Sequence, residues 1–117
     1  ILCLALGSFG LGLSGDFQKG LEAYYKGDYA TALKEWKPLA EGGYIDAQYN
    51  LGIMYDNGKG VLQDYVYAHM WANISASNGE KKGAEVRDII AKDMTPSQIE
   101  KAQDLARECV AKNYKGC

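Results

Sequence analysis

The sequence predicts an all-α fold, a short α/α solenoid of antiparallel helix pairs. Three observations lead there. Asp28-Tyr29 recurs as Asp64-Tyr65, Ala32 as Ala68 and Gly43 as Gly79, each 36 residues on. Self-similarity at a fixed offset of this size marks stacked units that bury their apolar faces only against neighbours. Small and aromatic residues alternate at helical spacing, Gly20 with Tyr24 and Ala32 with Trp36, so one helix approaches closely where the other is bare. Short glycine turns separate these segments, and nothing in between reads as a strand.

Six helices are expected, at 16–26, 28–40, 45–57, 64–78, 80–92 and 95–113. The first two come from FQKGLEAYYKGDYATALKEWKPLAEGG. After the Lys26-Gly27 turn, Asp28 is placed to cap the second helix. Pro38 removes a backbone donor there and is expected to bend or end the last turn. The next pair comes from DAQYNLGIMYDNGKGVLQDYVYAHMWANISASNG, whose turn, DNGKGVLQ, is longer than the first. Gly58 is expected to end the third helix in a left-handed conformation, Gly60 to let the chain reverse, and Asp64 to cap the fourth. A third, degenerate unit follows, with Gly83 in the place of Ala47. In its last helix Thr95 serves as N-cap, Pro96 takes the first helical position and Gln98 completes a capping box. Met94 and Ile99 are spaced as a hydrophobic staple, and Ile99, Ala102, Ala106, Cys109 and Val110 form a stripe fit to dock on the preceding pair.

The first unit resembles a tetratricopeptide repeat in its alternation of small and aromatic positions. The second is more specific. Ala47, Leu51, Gly52, Tyr55, Gly58, Gly60, Val61, Asp64, Ala68 and Trp71 match the signature of the Sel-one-like repeat (SLR) family. The chain is similar to that family from Asp16 to Cys117, with the last unit atypical as a stack's cap would be. The resemblance implies a right-handed stack whose inner curve holds other proteins or peptides.

The first fifteen residues, ILCLALGSFGLGLSG, carry no charge. They are too few to span a bilayer comfortably, and four glycines disfavour a buried helix. Residues 1–15 are therefore read as the remnant of a signal peptide, with small Gly12 and Ser14 before the cut, and 16–117 as the helical repeat domain with its C-terminal capping helices. The reading implies an exported chain, periplasmic or secreted, with no membrane span in its mature form. Cys3 leaves with the leader, and the even pair that remains, Cys109 and Cys117, suggests a disulfide. Two free thiols at a frayed end are the alternative. Eight residues of unbroken helix would hold the two Cα atoms about 12 Å apart, beyond the roughly 7 Å a bridge tolerates. The helix must therefore stop between them, and Asn113 and Gly116 are the candidate stops.

The glycines of YNLGIMYDNGKGVLQDY invite a nucleotide-binding reading that the spacing rejects. Five residues separate Gly52 from Gly58, Lys59 is followed by Gly60 where a phosphate loop needs a hydroxyl, and no strand leads in. Thirteen Lys and Arg against 15 Asp and Glu leave no basic excess for nucleic acid. His69 stands alone, which excludes a His-based metal site or catalytic dyad, and is expected at the surface or partly packed. Asn73-Ile74-Ser75 is a glycosylation sequon only formally, because it falls within a helix. No catalytic residue, metal or cofactor is expected. Some relatives are linked to penicillin-like ligands, so the resemblance also raises an exported cell-wall enzyme (penicillin-binding or β-lactamase-like). The absence of any Ser-x-x-Lys and the lone histidine weigh against it.

Nine tyrosines beside two phenylalanines point to a contact surface, since tyrosine gives large area and a polar handle at small entropic cost. By analogy with tetratricopeptide stacks, the inner positions are Tyr24, Tyr25, Tyr49, Ile53, Asp56, Asn57, Glu85 and Ile89. The expected function is a non-catalytic adaptor or scaffold for a protein or peptide partner.

Overall fold

The computed structural model describes residues 15–117; the segment read as a leader otherwise lies outside the described residues. Six helices follow in order: α1 (Phe17–Tyr25), α2 (Tyr29–Glu41), α3 (Ile45–Asn57), α4 (Tyr65–Ser77), α5 (Lys81–Ala91) and α6 (Pro96–Ala111). No strand forms among the described residues. Each expected helix is present, and successive helices from α1 to α5 pack on one another.

The helix starts follow from short polar side chains. Asp16, Asp28 and Asp64 each accept a backbone N–H three residues on, filling one of the donors a helix leaves orphaned. Thr95 and Gln98 form the full reciprocal box at α6. Gly58 ends α3 with φ 65°, and Gly60 follows at φ 76°. A Cβ on Gly60 would lie 2.9 Å from the carbonyl oxygen of Tyr29, so this turn packs directly on the start of α2. Pro38 does not end its helix; α2 runs on to Glu41.

Close approach explains the small residues. At Gly20 the indole of Trp36 occupies the space a Cβ would need, 2.3 Å from its nitrogen, and that indole N–H donates to the Phe17 carbonyl at 3.1 Å. At Gly52 a Cβ would meet the backbone of α4, 3.1 Å from the Ala72 nitrogen. Gly83 rests on Ser75 and Ala72, seating α5 on the same helix. The core runs through Trp36, Leu39, Leu51, Met54, Met70, Trp71 and Ile74.

Two polar groups within this core are satisfied in place. Glu35, 8% exposed, accepts from the Asp16 N–H at 3.0 Å and pairs with Lys19 at 3.5 Å. Gln48, fully buried, donates to the Ala40 carbonyl at 3.1 Å and accepts from the Asn78 amide at 2.9 Å. It ties the first unit to the second.

The last helix packs chiefly on α4 rather than on α5. Met70 shares a cleft with Leu105 and Cys109, and Ile74 one with Ala106 and Val110. Docking on the preceding pair was expected from the apolar stripe. Beyond α6, Asn113 and Tyr114 both take positive φ, 53° and 67°, and the chain doubles back. The doubling brings the Cys117 Cα to 5.7 Å from that of Cys109, closing their disulfide. Tyr114 lies against Gly43, its hydroxyl accepts from Asn78 at 3.2 Å, and the Lys115 ammonium donates to the Glu41 carbonyl at 3.2 Å.

Candidate binding groove

Helices α1 and α3 stand side by side with α2 behind them, and a groove of about 240 Å³ opens between them. It is lined by Leu21, Tyr24, Tyr25, Trp36, Tyr49, Asn50 and Ile53. Helical spacing places Leu21, Tyr24 and Tyr25 on one face of α1, and Tyr49, Asn50 and Ile53 on one face of α3. The rings of Tyr24 and Tyr25 meet edge to face at 6.1 Å, and Tyr24 lies 5.1 Å from Tyr29 and 5.6 Å from Trp36. Trp36 forms the floor, while Tyr25 is 81% exposed and forms a lip.

The sequence-named inner positions divide in two. Tyr24, Tyr25, Tyr49 and Ile53 line this groove together. Asp56 follows one turn beyond Ile53 and is half-buried; burial first, then the nearby Asp93, hold its carboxyl above the usual carboxylate range. Glu85 stands close enough to act on Tyr49, whose hydroxyl pKa is raised by burial, then by Glu80, then by Glu85. Asn57 is exposed at the C-terminal end of α3 and Ile89 is exposed on α5; none of Asp56, Asn57, Glu85 and Ile89 lines the groove. The groove's other lining residues, Leu21, Trp36 and Asn50, were not named from the sequence. Leu21 stands one helical turn before Tyr24 and Tyr25, so it was within reach of the helical period. Trp36 was assigned to filling space between helices, and it also floors the groove.

A wider cleft, about 530 Å³, lies between α4 and α6 over Asn73, Ile74 and Ser77. Arg87 of α5 donates to the Asn73 side chain at 2.9 Å. His69 is not at the surface: it is 3% exposed, and its Nδ1 has no hydrogen-bond partner. The reason is that α4 is covered by α3, α5 and α6, and His69 falls on a covered side of it. Burial, then Arg87, push the imidazole pKa below its ordinary value, and Asp88 opposes them. Among the described residues no group of three or more His, Cys, Asp or Glu side chains is arranged to hold a metal. No described helix is long and apolar enough to cross a membrane.

The Sel1 repeat family model matches residues 45–80, from the first residue of α3 through the glycine turn and α4 to the N-cap of α5. The chain carries a Sel1 repeat at residues 45–80. It is also 31% identical over 78 residues to the alginate biosynthesis protein AlgK of Pseudomonas syringae pv. tomato. That match covers 66% of this chain and 17% of the relative, so the chain spans only a small part of that protein's length. Sel1 repeats typically mediate protein interaction and are typically non-catalytic.

Proposed function

We propose that this Sel1-like repeat chain is a non-catalytic adaptor of the cell envelope that holds a protein or peptide partner along the face formed by α1, α3 and α5. One observation carries the reading. Four side chains from two separate repeats, Tyr24, Tyr25, Tyr49 and Ile53, converge on a single groove with an aromatic floor. Rigid aromatic anchors beside a polar Asn50 are the composition of a contact surface.

Export is proposed from the uncharged first fifteen residues and the Cys109–Cys117 bridge, since disulfides persist in oxidising compartments. The likeness to a protein named for alginate biosynthesis supports a role in making a polysaccharide. In that role the chain holds another protein, because a polyuronate is anionic and the same face carries the unpaired carboxylates of Asp56 and Glu85.

A photo-crosslinking residue at Tyr25 is expected to trap a discrete partner in intact cells. The same residue at Val110, exposed on α6, serves as the comparison. Equal trapping at both positions, or trapping at Val110 alone, refutes the assignment to this face.

A further inference from the structure

Three acidic side chains continue the face of the tyrosine groove toward α5: Asp56 one turn beyond Ile53 on α3, Glu85 on α5 and Asp93 just past its end; none has an opposite charge of its own. The ion pairs among the described residues are Lys19–Glu35, Lys37–Glu41, Arg87–Asp88 and Arg107–Asp104. Asp56, Glu85 and Asp93 take part in none of them. Burial first, then the charge of Asp93, disfavour the ionised form of Asp56, which works against the free fold. Exposed Lys81, Lys82 and Lys92 sit at the two ends of α5, and Arg87 is turned to Asp88 and Asn73.

The aromatic cluster already holds one cation. The Lys59 ammonium, carried on the glycine turn, sits 5.1 Å from the centre of the Tyr29 ring, and Tyr29 in turn meets Tyr24. Aromatic faces attract ammonium and guanidinium groups through their quadrupole. The chain thus shows this contact at one end of the cluster and leaves Tyr24, Tyr25 and Tyr49 without a cation at the other. A volume of about 240 Å³ suits individual side chains and not a helix, whose diameter alone is roughly 10 Å.

We propose that this face takes an extended, arginine- or lysine-bearing segment of the partner protein, with one cation over the tyrosine rings of the groove and further cations along the unpaired carboxylates of Asp56, Glu85 and Asp93 beyond it. The proposal rests on the reading of this face as the protein-binding one. It adds the chemistry of the occupant. Charge complementarity selects it: a neutral apolar peptide would leave the carboxylates unanswered, and an acidic one would be repelled.

The test is an NMR titration of the isotope-labelled full chain with a short peptide of alternating arginine and serine. Counterparts carry neutral citrulline, or glutamate, in place of arginine. The arginine peptide is expected to shift the amides of Leu21, Tyr24, Tyr25, Tyr49, Asn50 and Ile53, and to bind about tenfold more tightly than the citrulline peptide, the scale of one desolvated cation–aromatic contact. Asp56→Asn with Glu85→Gln is expected to weaken the arginine peptide severalfold. Asp56→Asn alone is expected to raise the thermal midpoint, so lost binding cannot be lost folding. Equal affinity for arginine and citrulline peptides at those same residues overturns the cation assignment and leaves the adaptor reading standing. Shifts confined to the α4–α6 cleft overturn both. An oligomannuronate or a glucosamine oligomer that binds the groove more tightly than the arginine peptide overturns the choice of a protein segment.

Discussion

At Gly52 the two helices of the central repeat touch through backbone. The atoms a side chain would strike there are the Ala72 nitrogen and the Ala68 carbonyl oxygen, which cannot rotate aside as a flexible side chain does. Gly52→Leu is expected to destabilise the fold by about 1–3 kcal/mol through overpacking, read as a drop in chemical-denaturation midpoint. Added ATP is expected to shift neither the wild type nor the variant. His69 supplies a second expectation. Its folded-state pKa lies below the ordinary histidine value of about 6.5, so the unfolded chain takes up the proton first. Stability is therefore full above that value and falls as pH drops below it. Melts between pH 8 and pH 5 are expected to show a steeper loss for wild type than for His69→Gln. The caps and the left-handed Gly58 were legible in the sequence because each depends on residues within one turn. The burial of His69 was not, because it depends on which helices cover α4.

For the elements, the informative case is α6. Its start, its capping box and its apolar stripe are local properties and were readable. Its preference for α4 over α5 was not, because the choice is made by the shapes of two surfaces that only exist once the stack has formed. Met70 and Ile74 offer side chains that Leu105, Cys109 and Ala106 fit. The disulfide loop follows from the same element. Asn113, one of the two expected stops, leaves the helix with positive φ, and Tyr114 joins it. Cys117→Ser is expected to cost roughly 2–3 kcal/mol on the chain-entropy account of so short a loop, while α1 to α5 keep their circular dichroism. Intact-mass analysis with thiol alkylation checks the bridge directly: no label under non-reducing conditions, two after reduction of the repeat domain.

Across the whole molecule, the groove and the core share Trp36, which is both the floor beneath Tyr24 and Tyr25 and the filler against Gly20. The tetratricopeptide analogy named four of the groove's seven lining residues. It could not show that Asp93 acts on Asp56, since that pairing crosses from the second repeat to the third. Gln48 spans the gap between the first and second units on the buried side. Gln48→Leu would remove one hydrogen bond from the Ala40 carbonyl and one from the Asn78 amide, leaving them the Gly43 N–H and the Tyr114 hydroxyl, and is expected to cost about 0.5–1.5 kcal/mol for each lost bond. A matching fall in hydrogen-exchange protection at both α2 and α4, rather than at α3 alone, is the sign that the two units unfold together.

The returning tail gives this stack a property that a plain array of repeats lacks. Where each repeat is held only by its neighbours, tension applied at the end peels units off one after another, like a strip of tape. Here Tyr114 and Lys115 anchor at Gly43 and Glu41, the seam between the first and second units, and the sulfur bridge returns the load to α6. Force entering at Cys117 is thus shared between the middle and the end of the stack at once. Drawn from its two termini in an optical trap, the oxidised chain is expected to give way in a single rupture, and the reduced chain to come apart in steps beginning with α6.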